Sequence, residues 1–131
     1  MNIVDVVSEN LFLKKLFPQG LQGEMLLGQI GFTLGGRISL NIITRQKPAI
    51  EIEKWGTWGK DYNVIIIELL GACSGDICLG NWENADFAGL SVSRDDENGA
   101  YLIRQEGEKW NIKIEFEVLV FQRCMTSTIK N

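Results

Sequence analysis

Histidine is absent from this 131-residue chain, proline occurs only twice, and the three cysteines, Cys73, Cys78 and Cys124, form no CxxC pair. Without an imidazole there is no Ser-His-Asp or Cys-His arrangement, and the usual general acid and base near neutral pH is missing. A zinc site built from thiolate and imidazole is excluded for the same reason. The cysteines are expected as reduced thiols packed as small hydrophobes; a Cys73–Cys78 disulfide across Ser74-Gly75-Asp76 would need an oxidising compartment. No apolar run approaches the roughly 18 residues that span a bilayer. Met1–Val7 carries Asp5 and no basic cluster, so a signal peptide is not expected and the expected location is cytoplasmic.

Positive charge is also scarce. Thirteen Lys and Arg stand against seventeen Asp and Glu, a net charge of −4, which disfavours direct nucleic-acid binding and permits a basic protein partner. Neither GxGxxG nor GxxxxGK[ST] occurs, so no phosphate cradle is indicated, and Gly71, Gly75 and Gly80 read as turns or bulges. Asp95-Asp96-Glu97 lacks the alternating acids and distal Glu of a calcium loop. Asp76, Glu83 and Asp86 form a sequence-local acidic group, but sequence spacing does not bring carboxyls to catalytic distance. The chain is therefore expected to be no enzyme and to hold no cofactor or metal.

What remains is a globular composition, 45% hydrophobic and 23% charged, which suits a single domain over residues 1–131. Ser8–Phe17 predicts one short N-terminal helix, capped by Ser8 and stopped by Pro18, with Leu13, Leu16 and Phe17 on one face. From Met25 the punctuation is that of strands. Met25–Leu34 and Arg37–Thr44 flank Gly35-Gly36, which predicts a two-residue type I′ hairpin. Ile38, Leu40 and Ile42 alternate with Arg37, Ser39 and Asn41, marking a buried and a wetter face.

Ala49–Trp55 alternates well enough for an edge strand, and the apolar run Tyr62–Leu70 predicts a central strand covered on both faces. Shorter strands are expected over Asp76–Trp82 and Phe87–Asp95. Asn98-Gly99 predicts a hairpin dipeptide before a strand at Ala100–Gln105. In the last run, Trp110–Met125, the even positions are apolar until Leu119 and Phe121 make the other face apolar too; the far half is expected under the N-terminal helix or a partner. The expected fold class is mainly β (α+β), an antiparallel sheet or half-barrel of about seven or eight strands with one short helix.

Trp55 and Trp58 lie in the Gly-rich loop Trp55–Gly59, where they either close the barrel end as a lid or anchor a partner. Trp82 and Trp110 read as structural. The acids outnumber bases on the loops, either as a solvated surface or as a patch that steers a cationic partner. The candidate partner-binding residues are accordingly Trp55, Trp58, Asp61, Glu83, Asp86, Asp95, Asp96 and Glu97. An alternative function is a small-molecule-binding barrel, its cavity lined by the tryptophans and apolar strands.

Tyr62–Glu68, Asn81–Asn84, Gly89–Arg94, Tyr101–Ile103 and Ile114–Val118 together resemble, in strand rhythm, the small β-rich immunity proteins of bacterial polymorphic-toxin and contact-dependent growth inhibition systems, immunity protein family fifty in particular. Where that family carries an early His-Asp-Ala-Glu type motif, this chain has Gln22-Gly23-Glu24-Met25. The resemblance implies inhibition without catalysis: a cognate toxin domain, often a nuclease, is bound in the cytoplasm and its active site or substrate access is blocked.

Overall fold

The computed structural model describes residues 1–130. Its strands are β1 (Glu24–Thr33), β2 (Arg37–Thr44), β3 (Val64–Gly80), β4 (Ala88–Gly89), β5 (Ser91–Arg94), β6 (Tyr101–Glu106) and β7 (Asn111–Ser127). They form one antiparallel sheet of seven strands in the order β4-β1-β2-β3-β7-β6-β5. The fold class read from the sequence is the one observed.

Single residues decide how the sheet curls. β4 pairs with β1 at one edge, β5 pairs with β6 at the other, and only Leu90 separates them. The expected single strand Phe87–Asp95 is thus one piece of chain shared between both edges, which brings those edges together. Gln105 of β6 fastens the seam: its buried Nε2 donates to the carbonyls of Met25 in β1 at 2.8 Å and Ala88 in β4 at 3.0 Å.

β3 and β7 are seventeen residues each and pair from Val64 opposite Ser127 to Gly80 opposite Asn111, with Ser74, Gly75 and Asp76 bulging out of the ladder. Tyr62–Leu70 and Asp76–Trp82, expected as separate strands, are joined in one bent β3 that begins at Val64 and ends at Gly80, before the turn that carries Trp82. Register shifts after Glu68, Ala72 and Cys73 absorb the bend without ending the ladder. Gly71 is required at the first turn of it, because a Cβ there would run into the Val118 carbonyl of β7. The change of character along β7 has the same origin. Ala72 faces Val118 and Cys73 faces Phe116, so Glu117 is the extra residue, and Leu119 takes the inward role that Phe116 has before it.

The concave face holds the core: Ile38, Leu40 and Ile42 from β2, Ile65, Ile67 and Leu69 from β3, Ile112, Ile114 and Phe116 from β7, and Ile103 from β6. Two helical turns cover part of it, where one helix was expected: α1 (Ile3–Val6) and α2 (Leu11–Leu16). Leu13, Leu16 and Phe17 are buried as their spacing requires. Ser8 caps neither helix. Its N–H donates to Leu119 O and its carbonyl accepts from Phe121 N–H, so it is spent on extending the β7 edge, and Asn10 precedes α2 without a side-chain cap. Phe121 is covered by Phe12, ring centroids 6.2 Å apart, which answers the expected covering of the far half of β7.

Four further local expectations are corrected. Ala49–Trp55 is not a strand: Ala49 N–H is taken by Leu16 O, and Glu53–Trp55 coils into a 3₁₀ turn that lets Trp55 dock. Thr33 pairs with Arg37, so the first hairpin turns through three residues, Leu34-Gly35-Gly36, with both glycines at positive φ. Arg94 pairs with Tyr101, so the Asn98-Gly99 dipeptide sits inside a longer loop, where Asn98 Oδ1 accepts from Ala100 N–H. Finally, β3 is sealed on one face only; Leu70 and its neighbour Val118 remain exposed on the convex side.

Candidate functional site

The curled sheet leaves the outer side of β1 open over most of its length. β4 covers β1 only at Glu24 and Met25, while β2 runs along the other side of β1 as far as Thr33. Leu26–Thr33 therefore has no neighbouring strand on its outer side among the described residues. In an antiparallel strand every second residue turns its N–H and C=O to a given side, so about four residues of this stretch present unpaired groups. Natural edges are protected by charge, Pro or extreme shortness. Here Met25–Gly36 contains no charged residue and no Pro, and the protection present is one bulge at Gly28.

Beside this edge lies a cleft of about 440 Å³. Its floor is Ile30 and Phe32 of β1, which share the concave face with their partners Leu40 and Ile38. The opposite wall is Leu79 at the end of β3, its partner Ile112, and the 3₁₀ turn Trp82–Asn84 that follows. Asn81 adopts a left-handed conformation, φ 48°, to make that turn and swing Trp82 over the cleft. Phe32 is 48% exposed and Trp82 60% exposed, large apolar groups that folding has left in water. Glu83 is the single charged residue of the lining among the described residues.

The residues singled out from sequence do not converge. Trp55 and Trp58 form a lid at the start of β3: Trp55 meets Phe12 and Tyr62 edge-on at 6.0 Å each, and Trp58 meets Tyr62 at 5.4 Å and 87°. Of the two roles open to them, the geometry is that of the lid. Asp61 braces the same loop, its Oδ2 accepting from Thr57 N–H at 2.7 Å. Burial, with Glu51 adding to it, raises the pKa of Tyr62 beneath this lid. Asp95 Oδ1 accepts from Glu97 N–H at 2.8 Å and so organises the β5–β6 loop that also carries Asp96. That loop and Glu83 lie at opposite ends of β6, about 17 Å for its six residues. Asp86 Oδ1 accepts from Phe87 N–H at 2.8 Å, and Arg45 stacks on the Phe87 ring at 3.7 Å, pinning the segment that leads from the cleft to β4.

Only Glu83 of the predicted set borders the cleft. Trp110 is 9% exposed and structural as expected, whereas Trp82, read as structural, is the most exposed tryptophan of the molecule. The signal available in the sequence was the twelve-residue stretch without charge, Met25–Gly36, in a chain where charge is otherwise frequent.

The cysteines are free. Cys73 and Cys78 lie on one strand, β3, so no turn brings them together. Burial raises the pKa of Cys73 and pushes that of Cys124 up to about 12, while Cys78 is exposed. No cluster of His, Cys, Asp and Glu suited to holding a metal ion occurs among the described residues. No helix of the described residues is long and apolar enough to cross a membrane. No family model, curated protein or solved structure matches this chain.

Proposed function

We propose that this protein acts by binding another protein and occluding it, as an immunity protein occludes its toxin. The observation that carries the reading is the cleft: Phe32 and Trp82 stand exposed across it, with Glu83 at its rim. Exposed aromatics clustered at a concave site are the usual anchors of protein recognition. An excess of acid, −4 over the chain, favours encounter with a cationic surface such as a nuclease's substrate groove. The test is co-expression with the C-terminal domain of a toxin encoded beside this chain's gene. Neutralisation is expected together with a complex whose affinity falls as salt rises. A toxin domain that stays active and unbound would refute the reading.

A second reading is favoured by the cleft's size. About 440 Å³ with an apolar lining lies in the range of small-molecule sites. Titration of Trp82 fluorescence with aliphatic and aromatic ligands tests it; saturable quenching that Trp82→Phe abolishes is the expected result, and no response across the series would dismiss it.

A further inference from the structure

The open edge and the cleft are adjacent, and together they define a mode of recognition. We propose that β1 accepts an extended segment of a partner protein as an additional antiparallel strand along Leu26–Thr33. Alternate apolar side chains of that segment enter the cleft between Phe32 and Trp82, and a basic residue meets Glu83. This rests on the protein-binding reading above and specifies its chemistry.

Three observations converge. The outward N–H and C=O groups of Leu26–Thr33 have no backbone partner among the described residues, and an added strand satisfies them. The residues lining the cleft run consecutively from Leu26 to Ile30, so the backbone edge itself forms a wall, and a strand laid on it lies within the cleft. β4 already pairs antiparallel with the beginning of β1, so an incoming strand would continue a ladder that β4 begins and abandons after Met25. Side chains alternate across a strand with a period of two, so every second residue of the segment faces Phe32 and Trp82.

The charge identifies the occupant. A second copy joined edge to edge would bring together two chains of net charge −4, each with Glu83 at its rim and no basic residue among the described residues of the cleft lining to answer it, because a two-fold contact uses the same patch of both copies. A segment carrying Lys or Arg beside its apolar residues complements the same rim. With the edge itself free of charge, Glu83 selects among sequences while the backbone ladder provides sequence-independent affinity.

The experiment uses the whole chain and a defined probe, acetyl-Lys-Val-Thr-Phe-Lys-Val-Thr-amide. Its binding is followed by isothermal titration calorimetry and by amide hydrogen exchange. The expected result is saturable binding, with new protection at alternate amides of Leu26–Thr33. N-methylation of the probe at one alternate set of residues should weaken binding at least tenfold, and methylation at the other set should leave it unchanged. Trp82→Ala should also weaken it about tenfold, and Glu83→Lys should reverse the preference for the Lys probe over its Glu counterpart. Both variants alter exposed side chains, and an unchanged circular dichroism spectrum verifies their fold. Binding indifferent to methylation, or protection elsewhere in the sheet, overturns the proposal. So does a dimer in sedimentation that Trp82→Ala dissolves, since the occupant is then a second copy. With a cognate toxin in hand, Phe32→Lys/Trp82→Ala separates the two claims. Undiminished neutralisation by this double variant defeats strand addition and leaves the immunity reading intact; no neutralisation by the unmodified chain defeats the reading itself.

Discussion

Gln105 offers the sharpest perturbation of the fold, because one side chain joins strands from both ends of the sheet order. It is 1% exposed, and its amide donates to Met25 O and Ala88 O, residues 80 and 17 positions away. Replacing it by Leu removes both bonds, each worth about 1 kcal/mol net, and leaves two carbonyls poorly solvated. The loss is partly offset, because Oε1 of Gln105 is itself buried without a hydrogen-bond partner among the described residues. The expected cost of Gln105→Leu is about 2 kcal/mol, or about 8 °C in Tm for a chain of this size. Gln105→Glu should be worse at neutral pH, about 3–5 kcal/mol, because a buried carboxylate then faces two carbonyl oxygens. That geometry raises the folded pKa of the new carboxyl above its unfolded value of about 4.3. The Glu variant is therefore most stable, relative to the Leu variant, below about pH 4. It loses that stability as pH rises through the folded pKa. Urea unfolding of the three proteins between pH 4 and 8 measures both effects. A Leu variant as stable as the unmodified chain, or a Glu variant insensitive to pH, would show that the seam is held by apolar packing and not by this amide.

Gly71→Ala forces the β3–β7 ladder apart where a Cβ meets Val118 O and Leu119; a loss of about 1–3 kcal/mol is expected by chemical denaturation. Trp55→Ala, which removes two edge-on aromatic contacts from the lid, should cost about 2 kcal/mol or more, whereas Trp82→Ala should stay within about 0.5 kcal/mol. Alkylation of the native protein at pH 8 should label the exposed Cys78 first and Cys124 last, and mass spectrometry of the digest reads the order. The folded Cys124 thiol holds its proton to about pH 12, against an ordinary value of 9.0. Its contribution to stability is accordingly full below pH 9 and declines as pH rises from there toward 12, an alkaline destabilisation that Cys124→Ala should lack.

Local pattern in the sequence determined the parts of this fold that local physics controls. The alternation Ile38, Leu40, Ile42 forces one face of β2 inward, and the helical spacing of Leu13, Leu16 and Phe17 obliges that stripe to dock on it. The acidic turn residues Asp61 and Asp95 were visible by type, and the structure employs them on neighbouring amides, as short polar side chains in loops commonly are. Trp55 and Trp58 were visible too, but whether a loop tryptophan is lid or anchor depends on what packs beneath it, here Tyr62 and Phe12. Tertiary structure alone decided the rest. A bulge at Glu117 reverses which side chains of β7 point inward, and no period-two reading survives an inserted residue. Ala88–Arg94 serves two sheet edges because the sheet curls, and curling is a property of all seven strands together. The cleft exists because β4 stops after two residues, leaving an uncharged β1 edge facing Trp82. The absence of charge on that edge was written in the sequence, but that it is an edge depended on a strand order that only the assembled sheet sets.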